Sequence, residues 1–265
     1  EPCRVRAMGS ASRDKPDRRY SNLEANLTPN RRACVNPPLL LLPGMMCDAR
    51  LFAPQINEFS ADYPVMVAPL TGRSTITELS QDILSNAPSQ FALAGLSMGG
   101  IVAMEIIRQA PERVLSLALI DTTPMADSAA RAIERDAQID RVRNGGLRSV
   151  MRDEMKPNYL ADGLNKDQVL DLCMEMANAL GVDGFISQSR ALQQRSDQRD
   201  ILSTIDVPTL ILCGEDDTLC PVERHEMMRD LIPNARLAII PGSGHLPVLE
   251  QPKLTNKEIK LWLNT

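Results

Sequence analysis

The chain has 265 residues, 43% of them hydrophobic and 24% charged, and a net charge of −5. A chain of this size forms one soluble domain that hides about three quarters of its extended surface, so neither disulfides nor metal are needed to hold a core. The acidic balance argues against nucleic acid as a main partner. The longest apolar run, Pro37 to Met46, is about half of the ~20 residues a membrane span requires, and a small molecule is the expected partner.

Residues 1–36 carry eight Lys/Arg against four Asp/Glu and no apolar run. They read as a polar, poorly ordered arm without a secretory leader, which points to the cytoplasm. The six cysteines, Cys3, Cys34, Cys47, Cys173, Cys213 and Cys220, form no Cys-x-x-Cys pair and are expected to be reduced thiols.

From residue 38 onward, short apolar runs alternate with amphipathic segments of helix length. Strands are expected at Leu39–Leu42, Val65–Ala68, Ala92–Ala94, Ser116–Ile120, Thr209–Cys213 and Arg236–Ile240. Helices are expected at Ala49–Ser60, Ser74–Ala87, Met98–Gln109, Pro221–Leu231 and Pro252–Leu263. This rhythm predicts an α/β fold, a doubly wound and mostly parallel sheet with helices on both faces. Residues 37–124 and 205–265 form its core. Residues 125–204 contain no strand-like run and place Val169, Leu170, Leu172, Cys173, Met176 and Leu180 at helical spacing. They are expected to form a helical insertion that roofs the carboxyl ends of the strands.

Chemistry concentrates in three turns. Phe91-Ala-Leu-Ala-Gly95-Leu96-Ser97-Met98-Gly99-Gly100 runs from strand to helix through Gly-x-Ser-x-Gly. Such a turn strains Ser97, lifts its Oγ above the sheet edge, and leaves room for no side chain at Gly95 or Gly99. A serine nucleophile needs a base. Of the two histidines, His225 sits in a charged helical stretch and is expected to face solvent, whereas His245 follows a strand in Pro241-Gly-Ser-Gly-His245. The carboxylate that orients the base has three candidates in Gly214-Glu-Asp-Asp217. Asp217 is preferred, Asp216 is second, and Asp121, after an earlier strand, is a more distant choice. The order Ser97, Asp217, His245 suits this kind of sheet. An oxyanion would be held by the Met98 N–H and by that of Met45, aimed inward by the turn at Gly44. Cys47, nearby, has no basic neighbour in sequence and reads as structural.

With these landmarks in order, residues 38–264 resemble the α/β-hydrolase superfamily. Leu-Leu-Pro-Gly-Met-Met-Cys-Asp-Ala-Arg-Leu-Phe, Gly-Leu-Ser-Met-Gly-Gly-Ile-Val-Ala-Met, Gln-Ala-Pro-Glu-Arg-Val and Gly-Glu-Asp-Asp…Pro-Val-Glu-Arg-His are similar to bacterial esterase-like members. The resemblance implies a Ser97–Asp217–His245 triad, an oxyanion hole at Met45 and Met98, and a sheet of six strands that lacks the family's first two. Pro43-Gly44 stands where many members have His-Gly. Serine at the elbow argues against the haloalkane dehalogenase and epoxide hydrolase branches, which use aspartate there.

The expected reaction is cleavage of short to medium acyl esters through an acyl-enzyme, without metal or organic cofactor. Met45, Met46, Met98 and Met125 would give the pocket a compliant apolar wall. The alternatives are a thioesterase or acyl-carrier methyl-esterase, with Arg131, Arg135, Arg141 and Arg143 as a docking patch, a cofactor-free perhydrolase, and a carbon–carbon hydrolase. A ligand-binding protein without turnover, built on the same scaffold, is the alternative from another class.

Overall fold

The computed structural model of the chain describes residues 36–163 and 165–265. The arm expected over residues 1–36 lies, apart from Asn36, outside them, as do Cys3 and Cys34. Six strands form one sheet, β1 (Leu39–Leu42), β2 (Val65–Val67), β3 (Phe91–Leu96), β4 (Val114–Ile120), β5 (Thr209–Gly214) and β6 (Ala235–Ile240). Every pairing is parallel, in the order β2-β1-β3-β4-β5-β6.

The expected strands are all present, and β3 and β4 are longer than their apolar runs suggested. Helices α1 (Ala53–Phe59), α2 (Ile76–Asn86), α3 (Met98–Gln109), α8 (Val222–Leu231) and α10 (Pro252–Leu263) connect and flank the strands. The helix expected from Ala49 is divided, with a 3-10 turn over Ala49–Phe52 capped by Asp48 before α1 begins beside Pro54. Proline has no N–H to continue an earlier helix, so it sits where a new one starts.

Between β4 and β5 the chain is helical, with α4 (Ala129–Arg141), a short α5 (Leu147–Ser149) between irregular turns, α6 (Lys166–Gln193) and α7 (Arg199–Leu202). Helix α6 breaks at Gly181, whose φ of +71° is not helical. The turn α9 (Pro247–Glu250) precedes α10. Among the described residues no helix is long and apolar enough to cross a membrane.

The core follows from parallel pairing. A strand with helices on both faces has no solvent side, so it reads as continuous apolar sequence. Residues 39–42 and 91–96 are buried at every position, and ten of the twelve residues of α3 are buried against them. The strand order reverses between β1 and β3. Ligands of open α/β sheets bind beyond the carboxyl ends of the strands at such a reversal, and the turn after β1 and the elbow after β3 meet there.

Candidate active site

Ser97 directly follows β3 and precedes the first residue of α3, with φ +55° and ψ −113°. A non-glycine residue is held there only by its surroundings. A Cβ on Gly95 would overlap the Gly99 carbonyl, and one on Gly99 would overlap the Leu42 carbonyl, so β1, the elbow and α3 pack backbone to backbone. The Ser97 N–H donates to the Ile120 carbonyl at 2.9 Å, and Thr122 Oγ1 donates to the Ser97 carbonyl at 2.7 Å. These bonds hold the strained turn from the neighbouring strand.

His245 comes to Ser97 from the loop after β6, its Nε2 2.9 Å from Ser97 Oγ. Its Nδ1 lies 2.8 Å from Asp217 Oδ2. The other oxygen of Asp217 accepts the Leu219 and Cys220 N–H groups at 2.8 and 3.0 Å. Burial opposes ionisation of Asp217, but attraction to His245 and the bonds from His245 and Cys220 hold its carboxyl below the usual range. Asp216, the second candidate, is exposed, and its N–H donates to Ser243 instead.

Asp121 is fully buried behind Asp217, at a φ of +42°. Its Oδ1 accepts the Gly214 N–H at 2.9 Å, and Oδ2 has no donor. Burial, with the Asp217 charge behind it, pushes this carboxyl well above the usual range. As an acid, Asp121 can donate to Asp217; as a carboxylate it would leave two like charges in contact.

The Met45 and Met98 N–H groups donate to no protein group among the described residues. Both residues line the same cavity as Ser97 and His245. Met46 does not line it. Its N–H donates to Gln188 Oε1 at 2.8 Å, and Gln188 in turn donates to the Leu70 carbonyl at 2.8 Å. A buried glutamine from α6 thus fixes the turn that carries Met45.

The cavity measures about 440 Å³, and its walls include Met45, Met98, Met125 and Met155. Met155 takes the place expected of Met46. Tyr159 closes the side near His245, its ring centroid 6.2 Å from the imidazole. Cys47 also lines the cavity, and burial pushes its thiol well up, away from a reactive thiolate. Asp217, Cys220 and His245 bring ligand atoms within 4.8 Å of one another. Both imidazole nitrogens are already engaged, and burial pushes the Cys220 thiol up, which does not suit them to hold a metal.

The expectation for His225 is overturned. Its side chain is buried, Nε2 accepts the Thr122 N–H at 3.2 Å, and Nδ1 lies 3.2 Å from the Pro221 carbonyl. Helix α8 packs over β5, so the face of its charged stretch that carries His225 points inward. Burial lowers its pKa to about 4, and it is a neutral support for the segment after β4.

Glu250 was not evident from sequence. Its carboxylate accepts the Gly244, Leu246 and Ala161 N–H groups, each at 2.9 Å. Together with the bond from the His245 N–H to the Tyr159 carbonyl, 2.7 Å, it shapes both sides of the His245 loop. The only sequence signal was an acidic residue five positions after a loop histidine. The arginines expected as a patch separate. Arg131 and Arg135 line the cavity, while Arg141 pairs with Glu154 at 2.6 Å and Arg143 with Asp140 at 3.6 Å on the surface.

A fold of this topology with a serine elbow and a histidine at the carboxyl edge defines a hydrolase scaffold. Residues 37–258 match the model of the alpha/beta hydrolase family, and the chain belongs to that family. It is 26% identical to pimeloyl-[acyl-carrier protein] methyl ester esterase of Edwardsiella ictaluri, over 81% of this chain and 88% of that protein. A Yersinia enterocolitica protein whose name offers it as a carbamate hydrolase, RutD, is 25% identical over 78% of this chain and 80% of its own length. A thermophilic esterase of Thermogutta terrifontis, solved with malate bound, superposes with a TM-score of 0.79 at 28% identity. That superposition covers 86% of this chain and 89% of the esterase.

Proposed function

We propose that the chain is a serine hydrolase that cleaves carboxylic esters of short to medium acyl chain, with Ser97, His245 and Asp217 as its triad. The observation that carries this reading is the line of contacts from Ser97 Oγ to His245 Nε2, 2.9 Å, and from His245 Nδ1 to Asp217, 2.8 Å. With its proton on Nδ1, directed at Asp217, the imidazole leaves Nε2 free to accept the hydroxyl proton as Oγ attacks the ester carbonyl. Negative charge then develops on the carbonyl oxygen, where the unused Met45 and Met98 N–H groups stabilise it, each by about 3 kcal/mol in the transition state. His245 returns its proton to the leaving alcohol, the acyl group stays on Ser97, and a water activated by His245 releases it. Asp121, in its acid form, steadies the Asp217 carboxylate from behind.

Residues 125–204 act as a lid in this reading, because their Met155, Tyr159 and Leu192 line the cavity together with Ser97 and Met98. The methionines make the cavity wall apolar and adaptable. Docking of an acidic acyl carrier is less well supported, since Arg141 and Arg143 are answered by neighbouring acids and form no continuous basic face with Arg131.

The test is hydrolysis of p-nitrophenyl esters from acetate to laurate by the wild type and by Ser97→Ala. Activity that peaks at or below medium chain lengths and falls by about 10³-fold or more in the variant is expected. Equal activity in the two proteins would overturn the assignment of Ser97, and a peak at bulky aromatic acyl groups would overturn the substrate range.

A further inference from the structure

The cavity beside Ser97 carries more positive charge than its own walls neutralise. Arg131, Arg135, Arg195 and Arg224 line it, against a single carboxylate, Asp127. Arg131 is answered by Glu134 at 2.6 Å, in an exposed pair. The other three are not answered one for one. Asp127 lies on the segment leaving β4, Arg135 on α4 and Arg195 just beyond α6. Arg135 Nε donates to Asp127 Oδ2 at 2.5 Å, and Arg195 Nη1 lies 2.8 Å from Asp127 Oδ1. These side chains are 7%, 8% and 4% exposed for Arg135, Arg195 and Asp127, so two buried guanidinium groups share one buried carboxylate. Arg224, half-buried on α8, donates to the Leu219 carbonyl at 3.1 Å and has no carboxylate within 4.0 Å among the described residues.

A buried charge without a partner is costly, and a guanidinium does not escape the cost by losing its proton. Burial and the neighbouring Arg135 charge already weaken the hold of Arg195 on its proton. Arg195 also donates to the Met125 and Leu192 carbonyls at 2.9 and 3.3 Å, but Asp127 balances the charge of only one arginine, so one guanidinium charge and that of Arg224 are left over. The surplus is also well placed. Arg135 Nη1 lies 3.9 Å from Met45 Sδ, on the turn whose N–H faces the reacting end of the cavity.

We propose that the cavity selects esters bearing a free carboxylate at the end remote from the scissile bond, anchored by Arg135, Arg195 and Arg224. A carboxylate supplies the single negative charge that the Arg135–Arg195–Asp127 group lacks, and its two oxygens match the paired N–H donors of a guanidinium. The inference rests on the ester-hydrolase reading and names the substrate class within it.

Monomethyl glutarate and its neutral analogue, in which an amide replaces the free carboxylate, differ at that group alone. The ratio of their kcat/KM values at pH 7.5 is the readout. The wild type is expected to favour the half-ester by about tenfold or more, the size of one charge-assisted contact. Arg224→Gln should lower the ratio at least about threefold, and Asp127→Asn, which adds a net positive charge to the wall, should raise it. A purely structural ion cluster would lower both activities in step in Asp127→Asn and leave the ratio unchanged, and that result, or a wild-type ratio near one, overturns the proposal.

Should the wild type cleave neither ester, the p-nitrophenyl esters decide the ester-hydrolase reading separately, and thermal stabilisation decides the carboxylate site. Glutarate raising Tm where glutaramide does not supports the site, with the shift reduced in Arg224→Gln. Equal shifts from the two, or none from either, overturn it.

Discussion

The sheet edge and the helical insertion are built from different interactions. At the edge, buried polar groups meet partners far away in sequence. His225 supports Thr122, Asp121 accepts from Gly214, and Glu250 binds both the His245 loop and Ala161. The helical segment between β4 and β5 carries many surface ion pairs, such as Arg141–Glu154, Arg143–Asp140 and Arg190–Asp136, each worth at most about 1 kcal/mol. Buried polar groups occur there too: Gln188 binds Met46 and Leu70, and the Arg135–Asp127–Arg195 group faces the cavity. In the proposed reading the sheet edge holds the reacting atoms, while the helical segment selects what reaches them.

Acid should expose the difference most strongly. The folded pKa of His225 is lowered to about 4, so its contribution is complete above its unfolded value of about 6.5 and is lost as pH falls toward 4. That loss amounts to about 3 kcal/mol. His225→Gln, which can accept from Thr122 and donate to Pro221, should flatten the fall in Tm between pH 6.5 and 4. An unchanged acid limb would mean that another group sets it.

Glu250→Ala removes the acceptor of three N–H groups and should lower kcat by about 10- to 100-fold through misplacement of His245. The fall should appear in kcat and not in KM, and Glu250→Gln should recover part of it. Asp121→Asn should have a smaller effect, of opposite sign. Because the folded pKa of Asp121 is raised, its contribution is complete below the ordinary carboxylate value near 3.8 and is lost as pH rises. Asparagine keeps the neutral form at every pH, so the variant should gain Tm over the wild type, and more at pH 8 than at pH 5. On the insertion, Arg141→Gln should shift Tm least of all; a change as large as that of a sheet-edge variant would erase the contrast between the two regions.

The elbow was legible because its requirements are local. Gly95, Ser97 and Gly99 lie within five residues, and only a strand-to-helix turn explains small residues on both sides of a serine. His245 and the Gly214–Asp217 stretch could be placed together for a related reason, since each follows a strand whose end lies at the same sheet edge. His225 was misread because a charged helical stretch looks solvent-facing until β5 and Thr122 are packed beneath it. Met46, adjacent to Met45, turns away from the cavity because Gln188, 142 positions along the chain, binds its N–H.

The amino-acid sequence by itself determined the apolar strands, the α/β rhythm, the serine turn and the order of the candidate triad, because these depend on neighbours and on short-range backbone sterics. Tertiary structure alone decided which acid lies behind Asp217, which glutamate holds the His245 loop, and that two buried arginines share Asp127. Those outcomes depend on burial and on partners distant in sequence, and the charge a side chain carries in the fold is set by the groups packed around it.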